Sequence, residues 1–94
     1  MAQSTILAAA QTAGTSTEIV VADGETVIVG IFASSDIPNG VALSLHIATP
    51  GRNGFVQKLT NDFHHAQIPG PASYYVNRPD ISAHGVNVGV FLNT

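Results

Sequence analysis

The strict alternation of apolar and polar side chains in short segments constrains the fold of this chain more than any other feature. Residues 41–48, Val-Ala-Leu-Ser-Leu-His-Ile-Ala, place a large apolar residue at every second position, and residues 86–93 do the same with three valines and a leucine. Successive side chains of a β-strand point to opposite faces, so each segment is expected to form a strand with one apolar face.

Short runs of Gly, Pro, Asn and Asp separate the extended segments and are typical of turns. The Asp23-Gly24 pair lies between Ile19–Val21 and the β-branched run Thr26–Phe32, which predicts a β-hairpin at this point. Further breaks are expected at residues 34–40, 49–54 and 69–71.

Seven to eight short strands at this spacing are typical of a β-sandwich or small barrel, and no segment shows the periodicity of an amphipathic helix. We therefore predict an all-β fold, a small antiparallel β-sandwich of jelly-roll or Ig-like type, formed by residues 17–94. A chain of 94 residues has room for one compact domain.

Residues 1–16 differ from the rest of the chain, because they carry no charged side chain and consist mainly of Ala, Thr, Ser and Gln. We predict that they form an N-terminal arm, for which two structures are open. The arm is either a frayed terminus, as chain ends commonly are, or a short strand or helical turn around Ile6 and Leu7. An ordered, uncharged arm would suit contact with a neighbouring subunit.

Alternation also predicts which side chains of the later strands face the core. In residues 55–59, Phe55 and Leu59 are expected to point inward, with Val56 and Lys58 on the opposite face.

Tyr74 and Tyr75 are adjacent, so one should point inward and one outward. The inward tyrosine would tie a corner of the sandwich through its hydroxyl, as tyrosine corners do. The outward one is either an interface anchor or an ordinary strand residue.

Residues 27–32, Val-Ile-Val-Gly-Ile-Phe, resemble residues 86–91, Val-Asn-Val-Gly-Val-Phe. We interpret the two segments as central strands in similar environments. Gly30 and Gly89 are then expected to leave space for the phenylalanines or to mark bulges.

Charged side chains are scarce, at 10% of residues against about 25% in typical proteins. Soluble proteins normally stay dispersed through a charged surface, so we predict that much of this surface contacts protein, including further copies of the chain. The cations Arg52, Lys58 and Arg78 are scattered, which argues against binding to nucleic acid or to a membrane surface. The start of the chain also lacks the positively charged region of a secretory signal peptide.

No arrangement of residues predicts catalysis, metal binding or a cofactor. There is no cysteine, and the four histidines have none of the close spacings of zinc sites. His64 and His65 are adjacent, so on a strand they should point to opposite faces. No signature ties a serine to an activating base, and the carboxylates fall mostly at turns. We therefore predict a protein that is not an enzyme.

Two segments near the end of the chain resemble small virion proteins of tailed bacteriophages. These are residues 68–79, Ile-Pro-Gly-Pro-Ala-Ser-Tyr-Tyr-Val-Asn-Arg-Pro, and residues 85–92, Gly-Val-Asn-Val-Gly-Val-Phe-Leu. In those proteins a Gly-Pro-x-x-Tyr-x-Val-x-Arg-Pro strand precedes a terminal Val-Gly-Val-Phe strand. Residues 31–41 are similar to the same group, so the resemblance covers residues 25–94. It implies a compact β-sandwich in a head or tail position and assigns no catalytic residues.

The resemblance and the low charge together lead us to expect a capsid decoration (cement) protein. Such a protein, made in the host cytoplasm, would bind across subunits of the major capsid protein on the virion surface and stabilise the head. Two alternatives are a tail or head-fibre adhesion module that binds a cell-surface glycan, and a structural component of the tail or neck. Arg and Tyr are frequent interface anchors. With the apolar pair of the arm, they give the interface candidates Ile6, Leu7, Arg52, Tyr74, Tyr75 and Arg78.

Overall fold

The computed structural model describes residues 3–38, 40–49 and 52–93, and for Thr49, Arg52 and Asn53 it describes the backbone alone. These residues form antiparallel strands and a short 3₁₀ turn at Ser82–His84, which confirms the predicted all-β class. The strands are β1 (Gln3–Ala10), β2 (Gly14–Thr15), β3 (Ile19–Val21), β4 (Thr26–Ala33), β5 (Leu43–Thr49), β6 (Arg52–Leu59), β7 (His65–Pro69), β8 (Ala72–Arg78) and β9 (Val88–Asn93).

The strands form two sheets that enclose one core. Sheet A has the order β1-β9-β4-β7, and sheet B has the order β2-β8-β5-β6, with β3 also paired with β8. The pairs are nested along the chain: β1 with β9, β2 and β3 with β8, β4 with β7, and β5 with β6. A long hairpin rolled up into two sheets has this nested order, which is that of a jelly roll. Of the two predicted sandwich types, the structure is therefore the jelly roll.

The turn at Asp23-Gly24 is present, but the predicted hairpin is wrong. Gly24 has a φ of 81°, a conformation that glycine adopts readily because it has no Cβ. β3, before the turn, pairs with β8 in sheet B, whereas β4, after it, pairs with β7 and β9 in sheet A. The turn therefore carries the chain from one sheet to the other instead of joining two paired strands.

Residues 3–16 belong to the segment that was predicted from its composition to form an arm. In the structure they contribute a strand to each of the two sheets. β1 is an edge strand of sheet A beside β9, with register shifts on both sides of Leu7. The chain then crosses to sheet B, where β2 pairs with β8 and the Ser16 N–H donates to the Val76 carbonyl at 2.8 Å. Ile6 and Leu7 pack against the core. Backbone pairing needs neither charge nor bulk, so the bland composition does not reveal it.

The core is built from the inward residues of the alternating segments. The most enclosed of these side chains are Val29, Ile31, Val88 and Val90 from sheet A, and Leu43, Leu45, Leu59 and Val76 from sheet B. Burial of each such side chain contributes about 1.5–3 kcal/mol to stability. The faces predicted by alternation for residues 41–48 and 86–93 are therefore confirmed.

The two glycines of the repeated segments lie opposite the two phenylalanines, as expected. In the β4–β9 pair Gly30 is opposite Phe91, and Gly89 is opposite Phe32. A Cβ on either glycine would lie 2.6 Å from the facing ring and 2.8 Å from a backbone oxygen. Each ring therefore lies over the glycine of the neighbouring strand, and only glycine fits beneath it.

The adjacent tyrosines point to opposite sides of sheet B, which confirms that prediction. Tyr74 is 4% exposed, and its hydroxyl donates a 2.7 Å hydrogen bond to the Pro69 carbonyl. This bond ties the start of β8 to the end of β7 and therefore closes a corner between the two sheets. Tyr75 is half-buried on the outward face.

Candidate interaction surface

A β-bulge in β6 turns an aromatic side chain to the outside of sheet B. Leu45 of β5 lies opposite Gln57, but the next residue, His46, lies opposite Phe55, so Val56 is the extra residue. Such a bulge reverses the alternation of the residues that precede it. Leu59 is buried as predicted, whereas Phe55, predicted to face the core, is 58% exposed.

Phe55 joins two other rings on the outward face of sheet B, and we call this group the aromatic cluster. The His46 ring is stacked on the Tyr75 ring, with centroids 5.0 Å apart and planes 10° apart. On the side of β6, the His46 and Phe55 rings form a T-shaped pair, with centroids 5.8 Å apart and an angle of 76° between the ring planes. One ring comes from each of β5, β6 and β8, so the cluster spans three neighbouring strands and is held by the sheet itself.

The surface around the aromatic cluster is almost uncharged. Among the described residues of β5, β6 and β8, Lys58 is the only charged residue at an outward position. Val20 on β3 adds a side chain that is 71% exposed. The remaining outward positions of β5 and β8 hold Ser44, Ala48, Ser73 and Asn77. Desolvation of such a surface is cheap compared with that of a charged one.

The aromatic cluster continues into a group of exposed apolar side chains at the outer strand of sheet B. Phe55, Val56 and Phe63, which we call the β6-edge patch, are 58%, 42% and 69% exposed. They line a shallow depression of about 500 Å³ with Gln57, Lys58 and Thr60. Lys58 and the bulge are features that discourage strand addition at a sheet edge, so the patch is suited to side-chain contact.

Arg78 lies inside the fold, with 5% of its surface exposed. Its Nε donates to the Thr12 carbonyl at 2.6 Å, and Nη1 donates to the carbonyls of Ala8 and Val88, each at 2.8 Å. Burial lowers the pKa of the guanidinium from its ordinary value. The side chain therefore joins the N-terminal segment to β8 and β9.

The six interface candidates lie at different places in the structure. Tyr74 and Arg78 are buried. The Tyr74 hydroxyl donates to the Pro69 carbonyl, and the Arg78 guanidinium donates to three carbonyl oxygens. Neither side chain therefore presents a surface to a partner. Ile6 and Leu7 are half-buried against the core. The side chain of Arg52 lies outside the described part of the structure. Tyr75 is the candidate that belongs to the aromatic cluster.

Two of the four histidines, His64 and His65, lie side by side. The expectation that His64 and His65 point to opposite faces is wrong, because His64 precedes β7 and the two rings are only 4.8 Å apart. No three His, Cys, Asp or Glu side chains converge within the ranges that the structure describes.

Of the side chains in the aromatic cluster and the β6-edge patch, Phe55 was wrongly expected to face the core and Phe63 was not singled out, whereas His46 was expected on the polar face of its strand and Val56 on the face opposite the core. Two adjacent apolar residues, Phe55 and Val56, interrupt the alternation of their strand, and this is the signal that could have indicated the bulge.

No protein-family model, curated protein or solved structure matches this chain. Within the described residues, no helix has the length and apolar character needed to cross a membrane.

Proposed function

We propose that this protein is a structural component of a tailed-bacteriophage virion that decorates the capsid and binds across subunits of the major capsid protein. The observation that carries the proposal is the outward face of sheet B, where the aromatic cluster lies on a nearly uncharged surface. Tyrosine is enriched among the residues that dominate binding energy at protein interfaces, and phenylalanine is enriched in interfaces generally.

Two further features support a virion component. Residues 68–79 and 85–92 resemble small virion proteins of tailed bacteriophages, and jelly rolls occur in viral capsid domains. Because jelly rolls also occur in lectins, the fold alone assigns no function, and the proposal depends on the chemistry of the surface.

The mechanism is added contact area across boundaries between capsid subunits. Desolvation of Phe55 and Tyr75 against a capsid subunit favours docking, and Lys58 at the rim would pair with a carboxylate of the partner. A single contact of this kind need not be tight. Many copies on one shell act together, particularly if the copies also associate with each other, so weak contacts add up to a large barrier against separation of the subunits.

Binding to capsids that lack the protein tests this proposal. Purified protein is expected to co-sediment with capsids from phage deleted for its gene, and those deleted heads should be less resistant to heat. Tyr75→Ala should weaken binding by about 2 kcal/mol, or roughly 30-fold, as loss of an interface anchor does.

Ile28→Ala is a matched control, because Ile28 is a half-buried residue at an outward position of sheet A. It should leave capsid binding unchanged. Absence of binding to the capsids, together with equal heat resistance of deleted and complete heads, would show that the proposed function is wrong.

A further inference from the structure

The outward face of sheet A has a different chemistry from that of sheet B, because neutral hydrogen-bonding groups surround its aromatic rings. One row across the four strands consists of Thr5, Phe91, Gly30 and His65. The next row consists of Gln3, Asn93, Ile28 and Gln67. Neither row contains a carboxylate, a lysine or an arginine. Amide and hydroxyl groups therefore provide both donors and acceptors on this face.

Two phenyl rings lie side by side on the same face. Phe91 lies over Gly30 and Phe32 lies over Gly89, because a Cβ added to either glycine would lie 2.6 Å from the facing ring. The two glycines are two positions apart along the strand direction and lie on neighbouring strands, which places the two rings diagonally, about 8 Å apart. Both rings are half-buried and line one depression, to which they provide two apolar surfaces.

The depression beside the rings has the size of a small-ligand site. Its volume is about 410 Å³, and Gln3, Ser4 and Thr5 of β1 form its polar wall opposite Phe32 and Phe91. Sites for small ligands commonly have volumes of roughly 300–1,000 Å³ and combine apolar walls with a few polar groups.

We propose that this depression binds a neutral oligosaccharide. The C–H face of a pyranose ring packs on an aromatic ring, whose face is electron-rich, and sugar hydroxyls match the donors and acceptors of Gln3 and Thr5. A nucleic acid needs cations along its backbone, and a purely apolar ligand would leave the amides without partners. The uncharged lining favours neutral sugars over sialylated or sulfated ones. This site is independent of capsid docking, because the two surfaces lie on opposite sheets.

An array of neutral, sialylated and sulfated oligosaccharides tests the proposal with the purified protein. We expect binding to members of the neutral set. Thr5→Val removes a hydroxyl with little change in volume and should weaken the strongest signal about tenfold. Phe91→Leu, which keeps an apolar cover over Gly30, should weaken it at least tenfold because the flat ring is lost.

Tyr75→Ala is the control on the opposite sheet and should leave glycan binding unchanged. Thr5→Val should in turn leave capsid co-sedimentation unchanged, so failure of this proposal and failure of the proposed function are distinguishable. Three results would overturn the proposal: no binding to the neutral set, binding confined to charged glycans, or a neutral signal that is lost in Tyr75→Ala but kept in Thr5→Val and Phe91→Leu. Urea unfolding of each variant establishes that the fold is retained.

Discussion

Replacement of Arg78 by methionine keeps most of the side-chain volume but removes the guanidinium that joins the N-terminal segment to the sandwich. Three hydrogen bonds to carbonyl oxygens are lost, one of 2.6 Å and two of 2.8 Å. The contribution of a hydrogen bond to a charged group, net of desolvation, is about 1.5–3 kcal/mol. Because the three bonds share one guanidinium, their contributions do not simply add, and we expect a loss of about 3 kcal/mol in the free energy of unfolding.

A loss of this size is large for a small domain, whose total stability is roughly 5–15 kcal/mol. It corresponds to a decrease of about 12–24 °C in the melting temperature of a chain of this length. Urea unfolding followed by circular dichroism measures the free energy directly. Lys58→Met is the matched control, because Lys58 is an exposed cation, and it should change stability by less than about 0.5 kcal/mol.

Hydrogen exchange identifies which backbone amides lose protection in the Arg78→Met variant. Arg78 holds the carbonyls of Ala8 and Thr12, so the amides of residues 3–16 should exchange faster, with little change in β5 and β6. A destabilisation below about 1 kcal/mol, with unchanged exchange in residues 3–16, would refute the reasoning, because Arg78 would then not join the segments.

Three further substitutions have defined outcomes. Gly89→Ala would place a Cβ 2.6 Å from the Phe32 ring, so we expect a loss of about 1–3 kcal/mol in urea unfolding, and a neutral result would contradict the packing described. Tyr74→Phe removes the hydrogen bond to Pro69 and should lower the free energy of unfolding by about 1 kcal/mol in the same assay, whereas unchanged or increased stability would show that the corner bond does not stabilise the fold. The Asp80 carboxylate accepts a hydrogen bond from the backbone N–H two residues later, which lowers its pKa below the ordinary 3.8. Because the folded-state pKa is the lower one, this bond stabilises the fold above about pH 4 and is lost as pH falls through the folded-state value. The melting temperature of Asp80→Asn should therefore be below that of the native chain at pH 7, and the difference should shrink at pH 2; a constant difference would exclude the ionised bond as the cause.

Features encoded by local pattern could be predicted from the sequence. The alternation of residues 41–48 defines both the strand and its buried face, because the side-chain period of a strand is a local property. The repeated glycines predicted space for Phe32 and Phe91, and the adjacent tyrosines predicted one inward and one outward ring.

Features that depend on distant partners could not be predicted in this way. Asp23-Gly24 indicates a turn, but whether the flanking strands pair with each other is decided by β8 and β9, which lie far along the chain. The pairing of residues 3–16 depends on backbone hydrogen bonds and on Arg78, and neither leaves a mark in the composition of that segment.

A single extra residue in β6 is the reason that the candidate surface could not be predicted from the alternation of side chains. Val56 reverses the alternation in β6 and moves Phe55 from the predicted core to the aromatic cluster, where it meets His46. Tyr75 was the only member of the cluster among the interface candidates, because an outward tyrosine beside an inward one can be recognised from the sequence alone.

Cryo-electron microscopy of the intact phage particle that carries this chain tests the proposed function most directly. The proposed function predicts a jelly-roll density on the capsid surface at boundaries between major capsid subunits. In that density sheet B, with Tyr75 and Phe55, should face the capsid, and sheet A should face outward. Location of the protein in the tail or neck, its absence from the particle, or contact with the capsid through sheet A would contradict it.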